Sequence, residues 1–397
     1  MSQVHNSMAI INANIYTPEG IIHRGVMVIK DGMIARISAE GAAVEPDTTT
    51  IDAEGRLLLP GFVDVHVHGG GGYDMMKAAE DKVSLDGMSR FHAAHGTTSF
   101  LATTLTSNDK VLKAALQAAA EQIEQGMTGA EAIGIHLEGP FLSPKRCGAQ
   151  NPLHMQTPRL EAVTAYLEAA KGHIRLLTIA PELEHAGEAI PYLASEGVTV
   201  SIGHSDAGYR HVAEAVQRGA SHVTHLFNGM SPLHHREPGV AGSALMLDQL
   251  TVELICDGIH STPEIIEYVF RTKPASTVVC ITDAIVAAGC PDGEGYFLGD
   301  LPIRVSDGRA ELMEGGNLAG STLTMDAALR NVLTWTGKPL EQVLPAFTSN
   351  PARQAGCADR KGSLQVGMDA DFVLLSADHY VQSTYVRGRC VYSAQLG

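Results

Sequence analysis

No stretch of about 18 consecutive apolar residues occurs in the chain, so no membrane-spanning helix is expected. The beginning, "MSQVHNSMAIINANIY", lacks a basic region followed by a long apolar core, and no secretory leader is expected. Cysteine is scarce and scattered: Cys147, Cys256, Cys280, Cys290, Cys357 and Cys390 show no C-x-x-C spacing. They read as reduced thiols of a cytoplasmic protein rather than as a disulfide framework. Positive charge is also short. Against 44 acidic residues stand 28 basic ones, a net charge of −16, which argues against non-specific nucleic-acid binding. An anionic substrate would have to be met by a local cluster of donors.

What is present falls into two kinds of sequence. The first 58 residues and the last forty or so carry short strand-like runs: "MAIINANIYT" (8–17), "GVMVIKDGMIARISA" (25–39), "TTTIDAEGRLLL" (48–59), "ADFVLLSA" (370–377) and "VQSTYVRGRCVYSA" (381–394). "KDG" and "VRG" supply hairpin turns between them. Neither end alone has enough strands for a stable sheet. One small β-sandwich domain built from both termini, 1–58 plus 359–397, is the economical reading.

Between the termini, eight apolar runs recur: 61–68, 97–104, 132–139, 174–182, 198–205, 221–228, 251–258 and 277–284. Most of the gaps have a helical period. Tyr209, Val212, Ala213 and Val216 form one stripe and Leu160, Val163 and Leu167 another. Val111, Leu112, Ala115, Leu116, Ala119 and Ile123 form a third. These stripes are expected to face the core. Eight strands alternating with helices over roughly 250–300 residues suit a (β/α)8 TIM barrel of the α/β class, spanning 59–358. A doubly wound sheet is the alternative, but the first turn lacks a G-x-G-x-x-G between strand and helix. A glycine-rich segment near 290–320 reads as an insertion beside the site.

Barrel chemistry sits at the C-terminal ends of the strands. "FVDVHVH" (62–68) puts Asp64, His66 and His68 on one face of the first strand. Glu138 ends the third strand, His204 the fifth, and His225 belongs to the sixth. His260 follows the seventh and Asp283 ends the eighth. Each alone has a mundane explanation; an aspartate at a strand end, for instance, caps a helix. His66, His68, Glu138, His204, His225, His260 and Asp283 are seven such groups on six strand units, and together they make a site. Histidine nitrogens and a carboxylate suit a divalent cation, with zinc preferred over iron, manganese or cobalt. Glu138, His204 and His225 make a three-ligand set that leaves room for water. Asp283 stands where it can take the proton of that water and hand it to a leaving group.

The motifs "PGFVDVHVHG" (60–69), "GIHLEGPFLSP" (134–144), "SIGHSDA" (201–207), "THLFNGMSPLHHREPGVAG" (224–242), "CDGIH" (256–260), "ITDA" (281–284), "GNLAGSTLTM" (316–325) and "TSNPARQAG" (348–356) run through nearly the whole chain. With them the chain resembles the amidohydrolase superfamily, and within it the N-acetylglucosamine-6-phosphate deacetylases. The resemblance implies a metal-dependent hydrolysis of the acetamide of a phosphorylated amino sugar. It implies that Glu138, His204 and His225 hold one ion, and that His66 and His68, sharing Glu138, hold a second; one or two ions are therefore expected. Asp283 is implied as base and acid. His260 is implied to touch the sugar or polarise the acetyl carbonyl. Ala149, Asn228, Gly229, Leu318, Ala319 and Gly320 are implied as substrate contacts. Arg236 is implied to reach the phosphate from the neighbouring subunit of a homodimer. Some relatives carry a substrate-contacting histidine where this chain has Gln150, which hydrogen-bonds but cannot relay a proton. The galacto epimer is the nearest alternative substrate. A cyclic amide is more distant, because "IRLLTIAPE" lacks the lysine that bridges two metals in those enzymes.

Overall fold

The eight apolar runs form eight parallel strands, laid side by side in chain order: Phe62–Val67, Thr97–Thr103, Glu131–Glu138, Ile174–Ile179, Thr199–Ile202, Ala220–Val223, Thr251–Ile255 and Val278–Ile281. A computed structural model describes residues 7–394. Every residue of the first, second, seventh and eighth strands is buried, as expected of parallel strands covered on both faces. The chain therefore adopts the barrel architecture that the alternation predicts.

Strands one and eight are joined at their catalytic ends. The His66 carbonyl accepts the Asp283 N–H at 3.0 Å, and the Ala284 carbonyl accepts the N–H groups of His68 and Gly69 at 2.9 Å each. Asp64 turns to this seam as well. Its carboxylate accepts the Thr282 hydroxyl at 2.6 Å, and burial pushes its pKa up to about 7 against that hydrogen bond. Closure of the barrel thus fixes His66, His68 and Asp283 relative to one another.

The predicted helical segments form helices at Asp109–Gln125, Leu160–Ala169 and Tyr209–Gln217. The Asn108 side chain caps the first of these by accepting the Val111 N–H at 3.0 Å. The apolar stripes need one correction. Val111, Leu160 and Tyr209 are 42%, 38% and 39% exposed, while Leu112, Ala115, Val163, Tyr166, Val212 and Ala215 are buried. The three exposed residues lie in the first turns of their helices.

Both termini build a second, largely antiparallel sheet. Its order is 389–393, 381–386, 372–375, 57–60, 7–17, 20–30, 33–38, with 49–52 also pairing on 7–17. Phe372 pairs with Pro60, so strand Leu57–Pro60 joins the N- and C-terminal parts and runs across the boundary expected at residue 58. The sheet folds over its own core of Ile10, Ile15, Met27, Ile34, Leu58 and Phe372, which matches the small β-sandwich expected. Residues 1–6 and 395–397 of that unit lie outside the described residues. An ion cluster ties it to the barrel. Glu131, opening the third barrel strand, meets Arg360 at 2.8 Å and the buried Lys361 at 2.6 Å, and Lys361 also binds Asp371. The segment near 290–320 forms a three-stranded antiparallel sheet, 293–298, 301–306 and 309–312.

Candidate metal centre and active site

Glu138 is the last residue of the third strand, and its carboxylate is surrounded by four histidines. Oε1 lies 3.2 Å from Nε2 of His225 and 3.3 Å from Nε2 of His204; Oε2 lies 3.3 Å from Nε2 of His68. Nε2 of His66 is 3.6 Å from Oε1. Asp283 Oδ1 stands 3.1 Å from Nε2 of His68 and 3.4 Å from Nε2 of His66. Two donor clusters emerge, Glu138 with His204 and His225, and His66 and His68 with Asp283. Asp283 therefore approaches the H-x-H pair more closely than spacing alone suggested.

The local backbone aims these groups. His204, His225 and Asp283 lie just beyond their strands with φ of 44°, 28° and 52°, in the left-handed region that few non-glycine residues occupy. Such conformations turn the chain out of the strand direction and concentrate at functional sites. Gly229 (φ 58°) lets the next loop close on this point; a Cβ there would lie 2.8 Å from Nδ1 of His204.

The electrostatics call for positive charge. Burial works against ionisation of Glu138, yet His66, His204 and His225 hold its carboxyl well below the usual range. Asp283 is likewise lowered against its burial, by His66 and His68. Burial disfavours a charged His68, but Asp283 and Glu138 hold it up to about 9. Pairs of Nε2 atoms lie only 3.2 Å apart, His66 with His68 and His204 with His225, and wherever the ring proton sits on Nδ1 their lone pairs converge. A cation among these donors satisfies all of them, so the residues present fit a divalent ion. The outward nitrogens fit as well: Nδ1 of His204 faces the Arg146 carbonyl at 2.8 Å, Nδ1 of His225 the Asn228 carbonyl at 3.1 Å, and Nδ1 of His66 the Glu253 carboxylate at 3.0 Å. Metal-binding histidines are held in this way, which leaves Nε2 free for the ion.

The cluster forms the floor of a cavity of about 490 Å³. His68, Glu138, His204, His225, His260 and Asp283 line it, together with Ala149, Gln150, Asn228, Gly229, Leu318 and Gly320. His66 is fully buried beneath it, and Ala319 is buried behind the loop. Arg236 is not brought to this cavity within one chain. It lies exposed on an adjoining hollow with Arg210 and His211, its guanidinium 2.7 Å from Nε2 of His235.

Sequence reasoning missed several contributors. Lys145 and Arg146 line the cavity and share one carboxylate, Asp206, at 3.3 and 2.8 Å, which leaves a net positive charge there; the adjacent pair on the loop after "HLEGPF" was the available signal. Asp257 accepts Nδ1–H of His260 at 2.7 Å, and "CDGIH" contains both partners. Leu298 and Asn317 come from the segment after strand eight. Glu253, a carboxylate within the apolar strand "TVELI", is fully buried.

A model of the amidohydrolase family matches residues 57–391. N-acetylglucosamine-6-phosphate deacetylase of Bacillus subtilis (strain 168) is 41% identical over 390 residues, covering 97% of each chain. N-acetylgalactosamine-6-phosphate deacetylase of Escherichia coli O157:H7 is 35% identical over 94% of this chain and 96% of the relative. Among solved structures, a mutant N-acetyl-D-glucosamine-6-phosphate deacetylase from Mycobacterium smegmatis, in complex with N-acetyl-D-glucosamine-6-phosphate, superimposes with a TM-score of 0.91 at 33% identity, over 98% of this chain and 100% of that one. Similar over nearly its whole length, the chain belongs to the amidohydrolase family and, within it, to the N-acetylglucosamine-6-phosphate deacetylase group.

Proposed function

We propose that the chain hydrolyses the acetamide of N-acetyl-D-glucosamine 6-phosphate to acetate and D-glucosamine 6-phosphate. The observation that carries this reading is the shared carboxylate of Glu138, with His204, His225 and His66 facing Oε1, His68 facing Oε2, and Asp283 beside them on the cavity floor. Glu138, His204 and His225 would hold one divalent ion, zinc being favoured by the donor types, and His66 and His68 with Glu138 a second. When bound, such an ion polarises a carbonyl and acidifies water.

The chain's own groups account for the rest. Oδ1 of Asp283 takes a proton from the attacking water as its oxygen adds to the carbonyl carbon. The same proton passes to the amide nitrogen as the C–N bond breaks, so acetate and a free amine leave. Asp257 engages Nδ1 of His260, leaving Nε2 to meet the acetyl carbonyl or the sugar. Gln150, Ala149, Asn228, Gly229 and the 318–320 loop line the space for the sugar. Lys145 and Arg146 raise the potential at the mouth. Arg236 reaches the phosphate from the partner of a homodimer; its exposure and separation from its own cavity support a role in trans. A cytoplasmic setting is supported by six cysteines that form no disulfide.

Acetate release from N-acetylglucosamine 6-phosphate, N-acetylgalactosamine 6-phosphate and unphosphorylated N-acetylglucosamine tests the proposal. The first is expected to have the highest kcat/KM. Preference for the galacto epimer would reassign the substrate, and no acetate from any of the three with metal-loaded protein would refute the activity.

A further inference from the structure

We infer that Glu253 is a positioning residue for the metal centre, acting through His66. The inference rests on the reading of His66, His68 and Glu138 as ligands. Glu253 lies in the interior of strand seven, between Val252 and Leu254, and is fully buried. A carboxylate in such a place is strongly disfavoured unless it is paired and hydrogen-bonded. Its pairing is specific. One oxygen, Oε2, lies 3.0 Å from Nδ1 of His66 and accepts the backbone N–H of His225 at 3.0 Å. The other, Oε1, has no hydrogen-bond partner among the described residues and faces Nδ1 of the buried His222 at 3.8 Å.

One oxygen atom therefore touches a member of each ligand group. Its bond to Nδ1 keeps the proton on that nitrogen, so Nε2 of His66 presents its lone pair to the centre, where Glu138 and Asp283 stand. The His225 N–H in turn anchors the carboxylate against rotation. His66 differs from the other histidines of the centre. His204 and His225 lean on neutral main-chain carbonyls, and Nδ1 of His68 has no partner among the described residues. A full carboxylate raises the basicity of the imidazole it supports more than a carbonyl does. Within the H-x-H pair, the one hydrogen-bond partner of an Nδ1 atom among the described residues is Glu253, on His66.

The test is a zinc titration of metal-free protein against a chromophoric chelator, for the wild type, Glu253→Gln, His66→Ala and the double variant. Thermal unfolding of each metal-free form accompanies it. The wild type should bind two ions. Glu253→Gln, which is nearly isosteric, should bind one ion as the wild type does and the other about 10- to 100-fold more weakly. In the His66→Ala background the same change should alter affinity by less than about twofold, because the residue it acts through is gone. Glu253→Asp, which keeps the charge but withdraws the oxygen, should weaken the same ion and serves if the glutamine variant does not fold. Two ions bound at wild-type strength in both Glu253 variants would overturn the inference. So would an equal loss with and without His66, which would mark a general defect of the barrel. A wild type that binds one ion removes the H-x-H site and this role with it. Acetate release measured in parallel separates the two claims: intact two-ion binding without hydrolysis counts against the proposed activity only.

Discussion

Gln150 donates its amide N–H to Oε2 of Glu138 at 2.7 Å, while its own Oε1 accepts the backbone N–H of Thr106 at 2.7 Å. The residue expected from the sequence to meet the sugar also braces the shared carboxylate of the centre. Each end of the amide makes one such bond, and the second N–H and second lone pair remain for a ligand in the cavity. Replacing it by leucine strands a buried N–H and frees Glu138 to rotate. Gln150→Leu should lower kcat/KM about 10- to 100-fold and weaken zinc in a chelator competition. An unchanged zinc affinity would show that the brace is dispensable.

Asp283→Asn keeps the size of the side chain and removes its ability to carry a proton. The expected loss in kcat is about 10²- to 10⁴-fold, with an ion still held by Glu138, His204 and His225. Rates in single-turnover assays and elemental analysis of the purified variant check the two halves together. Wild-type turnover would exclude Asp283 as the proton carrier.

Asp257 and His260 form a compact unit, since the aspartate also accepts the N–H groups of Ile259 and His260 at 2.8 Å each. Asp257→Asn should leave the loop folded but allow the imidazole the wrong tautomer. A fall in kcat of roughly 10- to 100-fold, with KM changed much less, is expected from the loss of one charge-assisted hydrogen bond. Equal changes in both constants would point to substrate binding instead.

Arg236→Ala removes a fork of donors suited to a phosphate. KM for the 6-phosphate should rise about tenfold or more, while the slow hydrolysis of the unphosphorylated sugar stays as it was. Mixing Arg236→Ala with Asp283→Asn subunits should restore activity in part if the arginine serves the partner's site. A strictly monomeric protein in sedimentation would remove that arrangement.

Glu131 links stability to pH. Burial would raise its pKa, but Arg360 and Lys361 hold it down to about 2 from its ordinary 4.5. Its folded value is the lower one, so its stabilisation is complete above about pH 4.5 and disappears as pH falls through about 2. Because the side chain is 30% exposed, solvent screening reduces the effect to roughly 1–3 kcal/mol. Glu131→Gln should be less stable than the wild type at pH 6, with the gap narrowing below pH 4.5 in denaturant titrations. A gap independent of pH would mean that packing, not charge, clamps the terminal sheet to the barrel.

The eight barrel strands, the helices between them, the hairpins of the terminal sheet and the gathering of titratable side chains at the strand ends were legible in the sequence. These follow from short-range geometry: a strand covered on both faces must be apolar throughout, and a helix repeats every 3.6 residues. The stripe residues Val111, Leu160 and Tyr209 mark the limit of that logic, since periodicity does not reveal which turn of a helix is left uncovered. Only the tertiary structure decided that Asp64 serves the seam, that Gln150 turns toward Glu138, that Arg236 lies outside its own cavity, and that Glu253 supports His66. His66 and Glu253 are 187 residues apart. Such a contact depends on how far the sheet curls before it closes, a property of the whole barrel that no window of neighbouring residues contains.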